Sequence, residues 1–380
     1  MAIRTGSRRR HSALVPVALA MLGALIAAPT TTAHADARSA PQITEQVGNT
    51  MLTNGQAFWA DEFALDSEGD LWEFERTGPG LNWRKAEYDG PSGTTVIKGA
   101  GVVANRNVPL AYVIGEDGNA WQFTRTDGVT SWTKLPRPTG MPKLVDGVGA
   151  DVTDAGLPYV VVQDKNKQLW KYQSNGSAWS VEPMGTVPVS AGGLRELVGM
   201  GKFQNGPYAF AISTTDELWS VHRTSSGYTW ISYGKHPRKK AVSPLGVSWS
   251  QGQAMVYLRD SDGLAWNVRW TASGGLWTDL KAPPAVRLTA SGGVTQLGFD
   301  DQLTAIGDDH RLWLNQTQRG SSAPWTKMDG QQDGVPGMDT ELGAQRVEAE
   351  TYTYTTDAQK QLWVCTYRQN TGTWIWTKLS

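Results

Sequence analysis

The chain has 380 residues, of which 39% are hydrophobic, with 18 tryptophans, one cysteine and a formal net charge of −1. That balance argues against nucleic acid as the main partner, since a nucleic-acid face needs a basic excess. A lone cysteine, Cys365, excludes an internal disulfide, so stability must come from packing.

The N-terminal segment carries Arg4, Arg8, Arg9 and Arg10 without an acid, then the apolar run Ala13–Ala28 and the small-residue sequence Ala33-His34-Ala35. This is the order of a secretory signal peptide, over residues 1–35. Ser7-Arg8-Arg9 hints at twin-arginine export, but His11 and Ser12 stand where that signal prefers apolar residues, so both routes stay open. No later run approaches the roughly 20 apolar residues that span a bilayer. The mature protein is expected to be secreted and extracellular, without a membrane span. Taking four arginines and no acid from 35 Lys+Arg and 36 Asp+Glu leaves it a net charge of −5. Residues 36–46 are polar and aperiodic, which reads as a flexible lead-in.

From residue 47 to 380 one frame recurs seven times: a polar turn, Leu-Trp or Ala-Trp, an alternating strand often ending in Arg-Thr, a Gly/Ser loop and a second Trp. The first Trp of each copy is Trp72, Trp121, Trp170, Trp219, Trp266, Trp313 or Trp363, spaced 47 to 50 residues apart. The second is Trp83, Trp132, Trp179, Trp230, Trp277, Trp325 or Trp374. A period of this length built from strands and turns predicts an all-β fold, a seven-bladed β-propeller of four-stranded blades. In the second copy the strands are expected at Gly101–Asn105, Leu110–Ile114, Asn119–Thr126 and Ser131–Leu135. The turns before the third strands are rich in Asp, Asn and Gly, which tolerate left-handed backbone. Asp260-Ser-Asp262-Gly263 lacks the further acids of a calcium loop and reads as one of these turns. Gly99-Ala-Gly101, Gly147-Val-Gly149 and Gly199-Met-Gly201 open their repeats, where glycine lets backbones crowd around an axis. Cys365 shares a face with Trp363 and reads as core.

Catalytic chemistry is sparse. His222, His236 and His310 fall in different repeats at no metal-ligand spacing, and no zinc-protease helix, nucleophile elbow or phosphate loop occurs. The aspartate boxes of sialidase propellers do not fit. No metal and no cofactor is expected, and the residues argue for a non-enzyme. Aromatic surface beside hydrogen-bonding side chains is what the chain has in excess, and it suits weak saccharide binding repeated for avidity.

The Leu-Trp, Arg-Thr, glycine-rich loop and Trp pattern resembles the repeats of tectonin and Photorhabdus-type propeller lectins. The layout is also similar to the lectin subunits of bacterial umbrella toxin particles. These resemblances imply a closed propeller that binds cell-surface glycan between blades. They further imply partners in a secreted complex, a small adaptor protein and a large toxin subunit. The aromatic candidates for glycan are Trp83, Trp132, Trp230, Trp277, Trp325 and Trp270, although a periodic Trp also serves as blade-to-blade core. Trp59, Trp249, Trp270 and Trp376 lie outside the periodic set. Phe203 and Trp249, counted to equivalent innermost-strand positions, either fill the channel or anchor a partner peptide. Arg238, Lys239 and Lys240 close the basic run Lys235-His-Pro-Arg-Lys-Lys240, a solvated loop or a contact for an anionic polymer or acidic partner. The rival readings are a protein-docking propeller without sugar binding and a glycan-processing enzyme.

Overall fold

The computed structural model describes residues 41–53, 58–76, 82–203, 206–250, 253–271, 273–290, 293–297, 300–317, 323–328 and 334–380. They form seven four-stranded antiparallel sheets, each built from four consecutive strands, and one helical turn at Val189–Ala191. No helix among them is long and apolar enough to cross a membrane. Blade 1 is β1 (Ile43–Thr53), β2 (Phe58–Asp66), β3 (Leu71–Arg76) and β4 (Trp83–Tyr88). Blade 2 is β5 (Val96–Asn105), β6 (Val108–Gly115), β7 (Ala120–Thr126) and β8 (Val129–Lys134). Blades 3 to 7 follow over residues 144–185 (β9–β12), 194–235 (β13–β16), 242–281 (β17–β20), 294–327 (β21–β24) and 338–378 (β25–β28). The expected seven-bladed propeller is therefore present.

Alternation along each strand supplies the packing. A strand sends successive side chains to opposite faces, and in a propeller both faces meet another blade. Phe123 of β7 thus meets Phe63, Tyr88 and Trp132 in a cluster shared by blades 1 and 2. Burying each such side chain stabilises by about 1.5–3 kcal/mol. The innermost strands carry a bulge at a glycine in blades 1 and 2, between Gln46 and Gly48 and between Gly99 and Gly101. Gly101 has φ +135°, and a Cβ there would press on the backbone nitrogen of Ala150 in the next blade. Glycine at this place is what lets the innermost strands approach.

Each first Trp is latched to an acid. The indole Nε1 of Trp72, Trp170, Trp266 and Trp363 donates to Asp66, Asp164, Asp260 and Asp357 at 2.9 to 3.0 Å. Trp121, Trp219 and Trp313 donate to Asp117, Glu217 and Asp309 at 3.4, 3.1 and 3.2 Å. The same aspartate closes the turn: Asp357 Oδ1 accepts the backbone N–H groups of Gln359 and Gln361. The acid of the polar turn therefore holds both the turn and the strand that follows.

The ring closes without a shared strand among the described residues. The lead-in was expected to run to Gln46, yet β1 starts at Ile43, which is 1% exposed and donates its N–H to Lys360 in blade 7. That contact extends the strand four residues upstream. Trp83 meets Tyr352 and Tyr354 edge-on from blade 1 to blade 7, at 6.0 and 6.1 Å. The leader and the upstream part of the lead-in, residues 1–40, lie outside the described residues.

Candidate functional site: the clefts between blades

Strand pairing splits the second tryptophans into two groups. Trp132, Trp230, Trp277 and Trp376 face Phe123, Val221, Val268 and Cys365 across their hairpins. Each reaches back to the preceding blade, where its indole N–H donates to the carbonyl of Asp89, Met184, Tyr233 or Met328 at 2.9 to 3.2 Å. Trp325, 8% exposed, does the same to Leu280 at 3.1 Å. These rings brace one blade against the next, so their polar edge is already spent.

Trp83, Trp179 and Trp374 stand two residues nearer the hairpin loop, facing Arg76, Ser174 and Tyr367. The cause in blades 1 and 7 is loop length: Trp72 pairs with Glu87 and Trp363 with Lys378, whereas Trp121 pairs with Lys134. Two additional loop residues displace the tryptophan from the bracing position, and in blade 7 Trp376 fills it. Trp376 was expected outside the repeat; it belongs to it, and Trp374 does not. Trp83 Nε1 is buried and has no acceptor among the described residues, a cost of about 1–3 kcal/mol.

Around this outer position, charges pair across the junctions between blades. Between blades 7 and 1, Arg76 and Arg368 converge on Glu350 at 2.6 and 3.0 Å, with Arg76 over the ring of Tyr352 at 5.2 Å and Trp83 beside it. Between blades 1 and 2, Arg125 meets Glu73 at 2.6 Å and Glu75 at 3.3 Å. Between blades 3 and 4, Arg223 meets Glu182 at 2.7 Å, under the ring of Tyr228. Burial pushes the Glu73 carboxyl above its usual range against the pull of Arg125. Arg76, Arg125 and Arg223 are the arginines of the Arg-Thr signature; the repeat displayed them, but only the ring shows their partners. In blade 5 the same register holds Trp270, 38% exposed and 5.1 Å from Tyr233 of blade 4.

No protein-family model and no curated protein matches the chain. Among solved structures it is similar to the BP39L lectin from Burkholderia pseudomallei, with TM-score 0.63 and 15% identity over 90% of this chain and 100% of that one. It is similar also to the Cps50 (Swd1) β-propeller domain of Myceliophteria thermophila, with TM-score 0.53 and 7% identity over 88% and 98%. The six-bladed, fucose-recognising lectin of Aleuria aurantia gives TM-score 0.48 and 11% identity over 89% and 96%. At these identities the likeness is one of fold.

The remaining candidates separate. Trp249, on β17 (Val242–Ser250), pairs with Ala254 and packs half-buried against Tyr208 of blade 4, 6.2 Å away. Its register equivalent in blade 4 is Lys202, which pairs with Pro207, not Phe203, which pairs with Gly206. The count along the sequence was one residue off, because glycine sits at different places in the two hairpins: Gly206 pairs with Phe203 as Gln253 pairs with Ser250. The side chains of Phe203 and Trp59 lie outside the described residues. In the basic run, Arg238 pairs with Asp279 at 3.0 Å over the Trp266 ring, and Lys240 with Asp262 at 3.4 Å. Lys239 is exposed at φ +54°. Two of the three charges are thus matched within blade 5. His236 is buried beneath them, 3.7 Å from Asp260, and burial lowers its pKa against the pull of that carboxylate.

Proposed function

We propose that this chain is a secreted, non-catalytic saccharide-binding propeller of lectin type that holds glycan in the clefts between neighbouring blades. The observation that carries this reading is the junction of blades 7 and 1, where Arg76 and Arg368 converge on Glu350 beside Trp83. A tryptophan face suits the C–H face of a sugar ring, while guanidinium donors and carboxylate acceptors match its hydroxyl groups. Related clefts around the ring add avidity to a weak site. The fold shared with the BP39L lectin is in keeping with this. Following the resemblance of the repeats, our reading extends to a cell-surface-targeting subunit of a secreted toxin assembly used against competing bacteria, with a small adaptor protein and a large toxin subunit as partners.

The test is a glycan array probed with the full mature protein, with free sugar as competitor. Binding to a defined glycan is expected, abolished by the free sugar and weakened about tenfold by Trp83→Ala, the loss of one stacking contact. An empty array together with co-purification of partner proteins from culture supernatant would instead favour a docking propeller.

A further inference from the structure

Arg259 breaks the repeat. It lies on β18 (Gln253–Asp260), between Ser243 on β17 and Ala265 on β19 (Ala265–Thr271). At the same register the other blades carry Leu65, Ile114, Gln163, Ile212, Ile306 and Thr356, all buried. A half-buried guanidinium thus takes the place of core at the junction of blades 5 and 6. Its Nη1 donates to the carbonyls of Leu288 and Thr289 at 3.0 and 2.7 Å, which fixes the head.

Beside it is a pocket of about 350 Å³, the size of a small-ligand site. Arg287 lines the same pocket, held by Nε on the Asp262 carbonyl at 3.1 Å and Nη2 on the Ser261 carbonyl at 2.9 Å. Burial lowers the pKa of Arg259 against the pull of the Glu196 carboxylate, and the like charge of Arg287 lowers it further. Neither arginine has an ion-pair partner within 4.0 Å among the described residues. The carboxylates in the wall are already engaged. Asp260 accepts the N–H groups of Asp262 and Leu264 and the Trp266 indole, and Asp308 accepts the Arg287 N–H. Ser243, Ser261 and Thr289 add hydroxyl-bearing walls.

We infer that this pocket binds a sugar unit bearing a carboxylate, received by Arg259, with the sugar's hydroxyl groups against the serine and threonine walls. A guanidinium fork matches a carboxylate in shape. One negative charge suits two arginines flanked by Asp260 and Asp308, whereas a dianion would face both acids. The inference rests on the saccharide reading but uses a different place: the pocket adjoins the turn before the third strand, and the Trp83 cleft lies at that strand's other end.

The experiment is calorimetric titration of the mature protein with the methyl glycosides of glucuronic and galacturonic acid and with neutral methyl glucoside. Wild type should bind one of the uronides at least about tenfold more tightly than the glucoside. Arg259→Leu, which restores the aliphatic residue of the neighbouring blades, should lose that preference and melt no lower. If it does melt lower, Arg259→Gln, the residue blade 3 carries at this register, is read in its place. Failure of wild type to bind either uronide, equal binding of the glucoside, or uronide binding unchanged in the folded variant each overturns the site. Trp83→Ala should keep uronide binding while its binding of the array glycan weakens about tenfold. Array-glycan binding that depends on Trp83 therefore leaves the lectin reading standing when the Arg259 site fails.

Discussion

Trp277 shows how much one side chain contributes to holding two blades together. Its ring packs at the junction of blades 4 and 5, and its indole N–H donates to the Tyr233 carbonyl at 3.2 Å. Trp277→Phe keeps most of the apolar area and leaves that carbonyl without its donor, so we expect a loss of about 1 kcal/mol in denaturant unfolding. An unchanged midpoint would mean that packing alone joins the blades. The same reasoning sets Trp83 apart, because its N–H has no such carbonyl. Spacing along the chain could not make that distinction. Trp83 and Trp132 each follow their first Trp by 11 residues, but a hairpin loop two residues longer in blade 1 places them at different heights of the blade.

At the scale of strands, the interior of blade 1 holds acids that neutral water would not leave there. Asp61 on β2 and Glu73 on β3 are buried, and neither oxygen of Asp61 finds a donor among the described residues. Burial, and then the charge of Glu73, raise the Asp61 carboxyl well above its usual 3.8. Glu62 and Glu341 are raised by burial as well. The sign follows from linkage. A carboxyl with a raised folded pKa binds its proton more tightly folded than unfolded, so its contribution is full below about 3.8 and is lost as pH climbs through the folded value. Stability should therefore fall as pH rises above about 4, and Asp61→Asn, which carries no titrating proton, should flatten that fall. Parallel curves for wild type and Asp61→Asn would contradict it. Alternation puts Glu73 on the same face of β3 as Leu71. That Asp61 and Glu73 are acids was also plain in the sequence. Their closeness was not, because it depends on the register of β2 against β3.

Across the whole molecule, the ring is what turns periodic residues into clefts. The seven blades were readable because each one repeats its Trp and its turn acid, and six of them, among the described residues, a glycine bulge on the innermost strand. The cleft was not, because Arg76 and Glu350 are 274 residues apart and meet only when blade 7 closes on blade 1. Arg76 belongs to the repeated signature, but the register of Glu350 is not an acid throughout the repeat: blade 6 carries Asp300 there, whereas blades 2, 4 and 5 carry Val108, Gly206 and Gln253. The most direct test is a crystal structure of the mature protein soaked with the glycan selected on the array. The account predicts sugar density in the cleft of Arg76, Glu350 and Trp83, with its ring against the indole. Density confined to the outer faces of the blades, or none in any cleft between blades at saturating sugar, would contradict it.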